Sequence, residues 1–392
     1  MEGGSPVRSE RLPFFRSSFG EEEFEAVLET LRSGWLTVGP KTSQFRDAFL
    51  AHTGLQYGVP VNSCTSAMLL ALKVLGIGEG DEVITSPNTF TATVSVIHQA
   101  GAVPVLADIE LETYGLDPES VEAAVTEKTR AILAVHFGGQ ACRIEALREI
   151  AERRGLLLVE DLAHGFGAEL EGRHLGHHGS MAAFSFYATK NLSTGEGGFL
   201  ACESAELEEE AALMGFHGMD RDAWKRYGDR GGWYYEVKRF GYKFNLTDLQ
   251  AAMGLVQLAR AEELRHARTQ VAARYHAAFA DRPELIIPAT RQGALHSWHL
   301  YAPRLAPGAL RIGRDEFLQA LTAEGVSPSL HFIPIHHHPA HRDFLGDVGA
   351  SLPVAEKYYE GCFSLPLFPT MSGEESEQTI EAVLKLLDHY GS

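Results

Sequence analysis

The sequence predicts an α/β fold: a large domain with a mixed, mostly parallel sheet flanked by helices, followed by a smaller C-terminal α+β domain. Three observations carry this. From about residue 57 to 200, short β-rich runs alternate with helical stretches. The runs are apolar on both faces, as strands are when helices cover a sheet from each side. Beyond about residue 260–285 the regular alternation gives way to shorter, mixed elements.

In chain order, YGVPV (57–61) reads as a strand and TSAMLLALKVL (65–75) as the helix after it. EVITS (82–86) precedes the helical TFTATVSVIHQAG (89–101). VPVLADI (103–109), RAILAVHF (130–137) and LLLVEDL (156–162) are further apolar strands, with amphipathic ESVEAAV and IEALREIAERRG between them. AAFSF (182–186) and GGFLA (197–201) have too little chain between them for a helical crossover, so they must pair another way and make the sheet mixed. A long helical region spans 246–280, HSWHLYAPRL (296–305) is strand-like, RDEFLQALTAEG (314–325) is helical, and TIEAVLKLLDHYG closes the chain as a helix. At roughly 150 residues per domain, we expect a large domain over 1–265, N-terminal arm included, and a small one over 266–392.

Composition excludes several classes. The 392 residues are 45% hydrophobic and 22% charged, ordinary for a soluble globular chain. No apolar run approaches the ~18 residues of a membrane span, and no signal peptide opens the sequence, so a cytoplasmic protein is expected. A formal charge of −18 argues against nonspecific binding to nucleic acid or anionic membranes. It leaves room for a local phosphate site built from a few donors. Cys64, Cys142, Cys202 and Cys362 are scattered without a CxxC, which fits a reducing compartment without disulfides or structural zinc.

Three stretches carry chemistry. NSCTSA (62–67) follows a strand and opens a helix, where hydroxyls and backbone N–H groups suit a phosphate; alone, it reads first as an ordinary Ser/Thr N-cap. VEDLAH (159–164) ends a buried strand with Glu160, Asp161 and His164, and a buried carboxylate needs a cation or donors; an acid there also simply starts a loop. In SFYATKNLSTGEGGFL (185–200), Ser185 and Lys190 can reach one pocket beside a glycine-rich turn. A desolvated lysine amine is a nucleophile toward carbonyls, although a lone lysine is usually a surface charge. Phosphate cradle, buried acid and strand-end lysine, in that order, describe a site for pyridoxal 5′-phosphate, with Phe90 of TFTAT placed to stack on the ring.

The chain resembles the sugar aminotransferases of the DegT/DnrJ/EryC1/StrS family, within the fold-type I enzymes that use pyridoxal phosphate. The segments that carry this are SGWLTVGPKTSQF (33–45), NSCTSAMLLAL (62–72), GDEVITSPNTFTATVSVI (80–97), VEDLAHGFGA (159–168), SFYATKNLSTGEGG (185–198), GYKFNLTDLQAAMGLVQL (241–258), SWHLYAPRL (297–305) and SLHFIPIH (329–336). The resemblance implies that Lys190 is the Schiff-base lysine, that Asp161 pairs with the pyridinium nitrogen, and that His164 lies near the phenolic oxygen. It implies that Phe90 stacks on the ring and that Thr65, Ser66 and Ser185 hold the phosphate. The family's GYNYR-like turn, which contacts phosphate in the partner subunit, reads GYKFN here, leaving Lys243 or Asn245 to reach across. Cys64 stands where the family often has glycine, and reads as a packing residue. His331, Trp35 and Thr37 fall at substrate-lining positions.

The implied activity is transamination from L-glutamate to a nucleotide-linked keto-sugar, a UDP- or dTDP-linked 4-keto-6-deoxy sugar or 4-keto-pentose, in a homodimer with its sites at the subunit interface. Relatives with histidine in place of Lys190 dehydrate the sugar at C3 instead. Amination at C3, a free keto-cyclitol substrate and a non-catalytic regulator that binds pyridoxal phosphate are the alternatives. The extension at 221–240 covers a nucleotide diphosphate or forms a dimer loop. HHHPAH (336–341) has neither helical i, i+4 spacing nor a nearby cysteine, so no metal site is expected there. GIGEGD (76–81) precedes a strand where a dinucleotide fingerprint follows one, and reads as a turn.

Overall fold

The computed structural model describes residues 4–220 and 235–391. Nine strands come first: β1 Tyr57–Val61, β2 Glu82–Thr85, β3 Val103–Leu106, β4 Thr129–Val135, β5 Leu157–Leu162, the short β6 Glu169–Leu170 and β7 Arg173–His174, then β8 Met181–Ser185 and β9 Gly198–Cys202. Seven form one sheet in the order β1-β9-β8-β5-β4-β2-β3. Neighbours from β3 to β8 run parallel, whereas β9 runs antiparallel to both β8 and β1. The mixed sheet read from the short connection between AAFSF and GGFLA is therefore present.

Alternate residues of each central strand enter opposite layers, as the two-residue period of a strand requires. Ile132, Leu158, Phe184 and Phe199 face one core, with Phe45 and Phe49. Their neighbours Leu133, Val159, Ala183 and Leu200 face the other, with Leu70 and Ile97. Phe49 anchors the first layer: its ring lies 4.3 Å from that of Phe199 and meets Phe184 edge-on at 5.2 Å.

Two expectations need correction. The helical region 246–280 is two helices, Asp248–Ala259 and Ala261–Phe279, because Arg260 leaves helical geometry at φ −101°, ψ 7°. Its guanidinium donates to Ser18 O and to Glu23. That tertiary anchor, not a local Gly or Pro, accompanies the break. HSWHLYAPRL is also not one strand. Arg304–Leu305 pairs with Leu285–Ile286, and Tyr301 makes an isolated bridge with Leu365. Trp298 turns the chain at φ +50°, and Ser297 N and Leu300 N donate to Gly139 O (2.7 Å) and Gly138 O (3.0 Å). Gly139 has φ +108°, and a Cβ there would lie 2.7 Å from Ser297 Oγ and 2.9 Å from His299 N. The segment is laid onto this glycine pair.

A second core gathers Val271, Tyr275, Phe279, Tyr301, Phe317, Phe363 and Leu387, and includes Leu12 of the N-terminal arm. Residues 8–12 run alongside 324–327, with Arg8 N to Glu324 O at 3.1 Å and Leu12 N to Gly325 O at 2.8 Å. Ala261 belongs to the first core and Val271 to the second, so the helix Ala261–Phe279 passes from one into the other.

Gly198, opening β9, lets the helix Cys64–Val74 approach the sheet. A Cβ there would lie 2.6 Å from Ser63 C, 2.7 Å from Cys64 N and 2.7 Å from Phe184 O, all backbone atoms. Gly198→Ala is expected to cost about 1–3 kcal/mol by overpacking, measured as a lower midpoint of denaturant unfolding than for the wild type.

Candidate active site

The carboxyl ends of β5 and β8 and the amino end of the helix Cys64–Val74 converge. Ser63 caps that helix in extended geometry, its Oγ accepting from Ser66 N at 3.0 Å. Thr65 and Ser66 occupy the first turn, half-buried, where unpaired N–H groups and the helix dipole favour an anion. The N-cap reading holds for Ser63, which sequence reasoning did not single out. Ser185, the last residue of β8, is buried and pairs in register with Gly198, the residue packed against the Ser63 backbone.

Asp161 and Glu160 are adjacent on β5 and face opposite sides of the sheet. Asp161 is 3% exposed. Thr93 Oγ1 donates to it at 2.8 Å and Ala163 N at 3.0 Å, and Cys64 Sγ lies 3.9 Å away. Burial raises its pKa, the Ala163 N–H and Thr93 hydroxyl opposing this only in part. Burial likewise raises the Cys64 thiol well above its usual range, so it packs as an un-ionised group. Glu160, fully buried, accepts from His136 Nε2 (3.1 Å) and from the backbone N–H groups of Gly176, His178 and Gly179. Burial works against its charge, yet these donors, His136 foremost, hold its pKa at about 2. Glu160 thus belongs to a buried hydrogen-bonded network, and Asp161 to the group of residues around Lys190.

Lys190 sits in the turn after β8, its N–H bonded to Tyr187 O at 2.9 Å. Its Nζ lies 3.4 Å from His299 Nε2. Burial lowers the amine's pKa to about 8, against the upward pull of the Asp161 carboxylate. His299 and His164 are both driven well below the ordinary imidazole range, first by burial and then by the nearby Lys190 charge. Their rings lie 4.4 Å apart, and His164 stacks on Phe332 at 5.8 Å. Gly138 N donates to His164 Nδ1 at 3.3 Å. Neutral imidazoles and a readily deprotonated amine make this a site for proton transfer at near-neutral pH.

The other candidates are spread more widely. Phe90 is 61% exposed at the start of the helix Thr91–Ala100, its ring 6.3 Å from that of Phe332. His331 bonds Ser364 Oγ through Nδ1 at 2.9 Å, and burial with the Lys190 charge lowers its pKa to about 3. Lys243 and Asn245 bond one another, and their segment lies along the end of β1, with Asn62 N donating to Phe244 O at 2.7 Å. Trp35 and Thr37 follow the helix Glu21–Ser33, both exposed. Trp35 Nε1 donates to Val38 O and Thr37 O accepts from Asp248 N, so these two are tied to the Val38–Asp248 region rather than to the lysine. Most of the 221–240 extension, residues 221–234, lies outside the described residues. Sequence reasoning missed His299 and Thr93: the first sat in a run read as a strand, the second in a helix read only for Phe90.

Fold and site define the class, a fold-type I enzyme that works with pyridoxal 5′-phosphate. Residues 17–384 match the DegT/DnrJ/EryC1/StrS aminotransferase family; the chain belongs to it and is a sugar aminotransferase. It is 46% identical over 377 residues to the spore coat polysaccharide biosynthesis protein SpsC of Bacillus subtilis, covering 96% of this chain and 97% of that one. Spr1654 of Streptococcus pneumoniae, assigned as a sugar aminotransferase and solved in PMP and PLP forms, superposes in the PMP form with a TM-score of 0.92. It is 32% identical, with 96% of this chain and 99% of that one covered. Helicobacter pylori PseC, an aminotransferase involved in the biosynthesis of pseudoaminic acid, gives a TM-score of 0.90 at 27% identity, covering 97% of this chain and 100% of that one.

The Glu160–His136 pair gives a pH prediction. The Glu160 pKa is depressed on folding from 4.5 to about 2, so its stabilisation is present above 4.5 and is lost as pH falls toward 2. Glu160→Gln should therefore lower thermal stability strongly at pH 7, and the gap to wild type should narrow below pH 4.5 in calorimetric scans.

Proposed function

We propose that this sugar aminotransferase transfers an amino group from L-glutamate to a nucleotide-linked keto-sugar, at C4 of a UDP- or dTDP-linked 4-keto-6-deoxy sugar or 4-keto-pentose, in the cytoplasm. The observation that carries the reading is the Lys190 amine, its pKa lowered to about 8, in one cleft with the buried Asp161 carboxylate. The names of SpsC, for a coat polysaccharide, and PseC, for pseudoaminic acid, support a sugar destined for a glycan.

The residues present fit pyridoxal phosphate. Among the described residues no Lys or Arg bonds the buried Asp161 carboxylate, and a protonated pyridine nitrogen would supply the missing charge. The capped first turn at Ser63–Ser66 and the Ser185 hydroxyl suit its phosphate. When bound, the cofactor supplies an aldehyde that carries the amino group and a ring that takes up electrons from the substrate carbon. Lys190, once freed, would be the group that takes up and returns the proton of the donor's α-carbon. Asp161 would hold the proton on the ring nitrogen, His164 would stand by the phenolic oxygen, and Phe90 would cover the ring face. Thr65, Ser66 and Ser185 hold the phosphate, joined by Lys243 or Asn245 of a second subunit. His331, Trp35 and Thr37 line the sugar nucleotide's path.

The homodimer this requires has support in one exposed apolar face. Phe24, Leu28 and Leu31 recur at helical spacing on Glu21–Ser33, and Trp35 and Leu36 follow, all exposed. We also propose two domains, divided near residue 265 where the helix Ala261–Phe279 passes between cores, with the N-terminal arm docked on the second.

The deciding experiment follows the absorbance of the cofactor-loaded enzyme on adding L-glutamate, then keto-sugars. Conversion to the pyridoxamine form by glutamate, and its reversal by a UDP- or dTDP-4-keto sugar with an amine appearing at C4 by mass spectrometry and NMR, is expected. Lys190→Ala should convert neither way. Reversal only by a free keto-cyclitol, or amination at C3, would overturn the substrate assignment. Capture of pyridoxal phosphate by the apoenzyme requires the neutral amine, so its rate should rise with pH and level off above about 8. Light scattering of the active enzyme should give twice the chain mass; an active single chain would sink the shared site.

A further inference from the structure

The histidine run at 336–338 is not used by the chemistry above. In sequence it lacks helical i, i+4 spacing and a nearby cysteine; the fold sets a carboxylate against two of its histidines. His336 and His337 form a 3-10 turn, Ile335–His337, packed against the helix Pro353–Gly361, which carries Glu356. His336 Nε2 lies 2.5 Å and His337 Nε2 2.7 Å from the same atom, Glu356 Oε1. The three ligand atoms fall within 4.8 Å of one another. The site is half open. His336 is 5% exposed, and the His337 and Glu356 side chains are each 34% exposed, leaving one side to solvent.

We propose that His336, His337 and Glu356 form a binding site for a divalent transition ion of the zinc type, completed by water on the open side. Two imidazoles and a carboxylate are a borderline-soft donor set that takes zinc, cobalt or nickel in preference to magnesium or calcium. Zinc bonds of about 2.0–2.1 Å at tetrahedral angles would set the ligand atoms about 3.4 Å apart, against the 2.5 and 2.7 Å found here. Opening the two contacts to Glu356 takes under about 1 Å each and falls on the two partly exposed side chains, His337 and Glu356. Ile335 N, beside it, is bonded to Pro87 O at 3.0 Å in the loop after β2. The ion would tie the turn that follows His331 and Phe332 to the helix Pro353–Gly361, and so stiffen one wall of the cleft without entering it.

The test uses the untagged full-length holoenzyme, stripped with chelator and titrated with ZnCl2 by calorimetry and thermal unfolding. Wild type should bind one equivalent above any weaker surface binding, with a Tm that rises with zinc and falls back with EDTA. His337→Ala and Glu356→Gln should each weaken that equivalent by at least about tenfold and remove the Tm response. His338→Ala, altering the adjacent histidine outside the set, should leave both unchanged. Cobalt(II) should give a visible d–d spectrum in wild type that His337→Ala lacks. No binding at 100-fold excess zinc (~100 equivalents), or equal binding in wild type and both ligand variants, would overturn the proposal and leave Glu356 as a plain hydrogen-bond acceptor for two histidines.

Discussion

Burying Asp161 at the end of β5 is the constraint on which the site depends. A carboxylate 3% exposed, given one hydroxyl, one N–H and a distant thiol, is under-solvated. Its pKa rises because the chain itself does not stabilise the charge fully. Such a group is costly in a protein with nothing to fill the cleft, and becomes favourable when a cation arrives. The surrounding choices follow. Thr93 offers a donor without adding charge, and Cys64 fills space against Ala183 O with a thiol that stays protonated. Lys190 stands near enough to couple to the carboxylate, yet its hydrogen-bond contact is with His299.

Glu160, one residue earlier, shows the opposite solution on the same strand. Three backbone N–H groups and His136 satisfy it fully, so its pKa falls to about 2. One residue of strand alternation separates an acid locked into structure from an acid left ready for a ligand. A like pattern shapes the sheet. Antiparallel β9 turns the chain back after the lysine, so Ser185 and Gly198 meet at one edge and the capped helix end approaches them.

How much of this was legible in the sequence depended on how local its cause was. All seven strands of the large sheet were readable, because each is a short, largely apolar run bounded by turns; YGVPV matches β1 residue for residue. Lys190, Asp161 and Ser185 stood out as polar residues at the ends of such runs. The break at Arg260 was not readable, since a contact with Ser18 and Glu23 more than two hundred residues away accompanies it. Nor was the looped course of 296–300, which depends on glycines 138 and 139 in another part of the chain. His299 was hidden for that reason, and Glu356 as the partner of His336 for the same one. Apolar periodicity encodes elements; it does not encode which loop lies on which.

Arg268 links that loop to the chemistry. The guanidinium is 2% exposed, with no carboxylate among the described residues bonded to it; Nη1 donates to Leu367 O at 3.0 Å, Trp298 O at 3.4 Å and His299 O at 3.5 Å. Burial lowers its pKa only to about 9, so it keeps its charge at neutral pH. The carbonyl it grips on His299 belongs to the residue whose ring meets Lys190, and its charge adds to the burial that lowers the lysine's pKa. Two neighbouring cations repel, and the one with the weaker hold on its proton gives it up. A helix that begins in the first core and ends in the second thereby keeps the loop in place and favours the neutral form of the amine beside it.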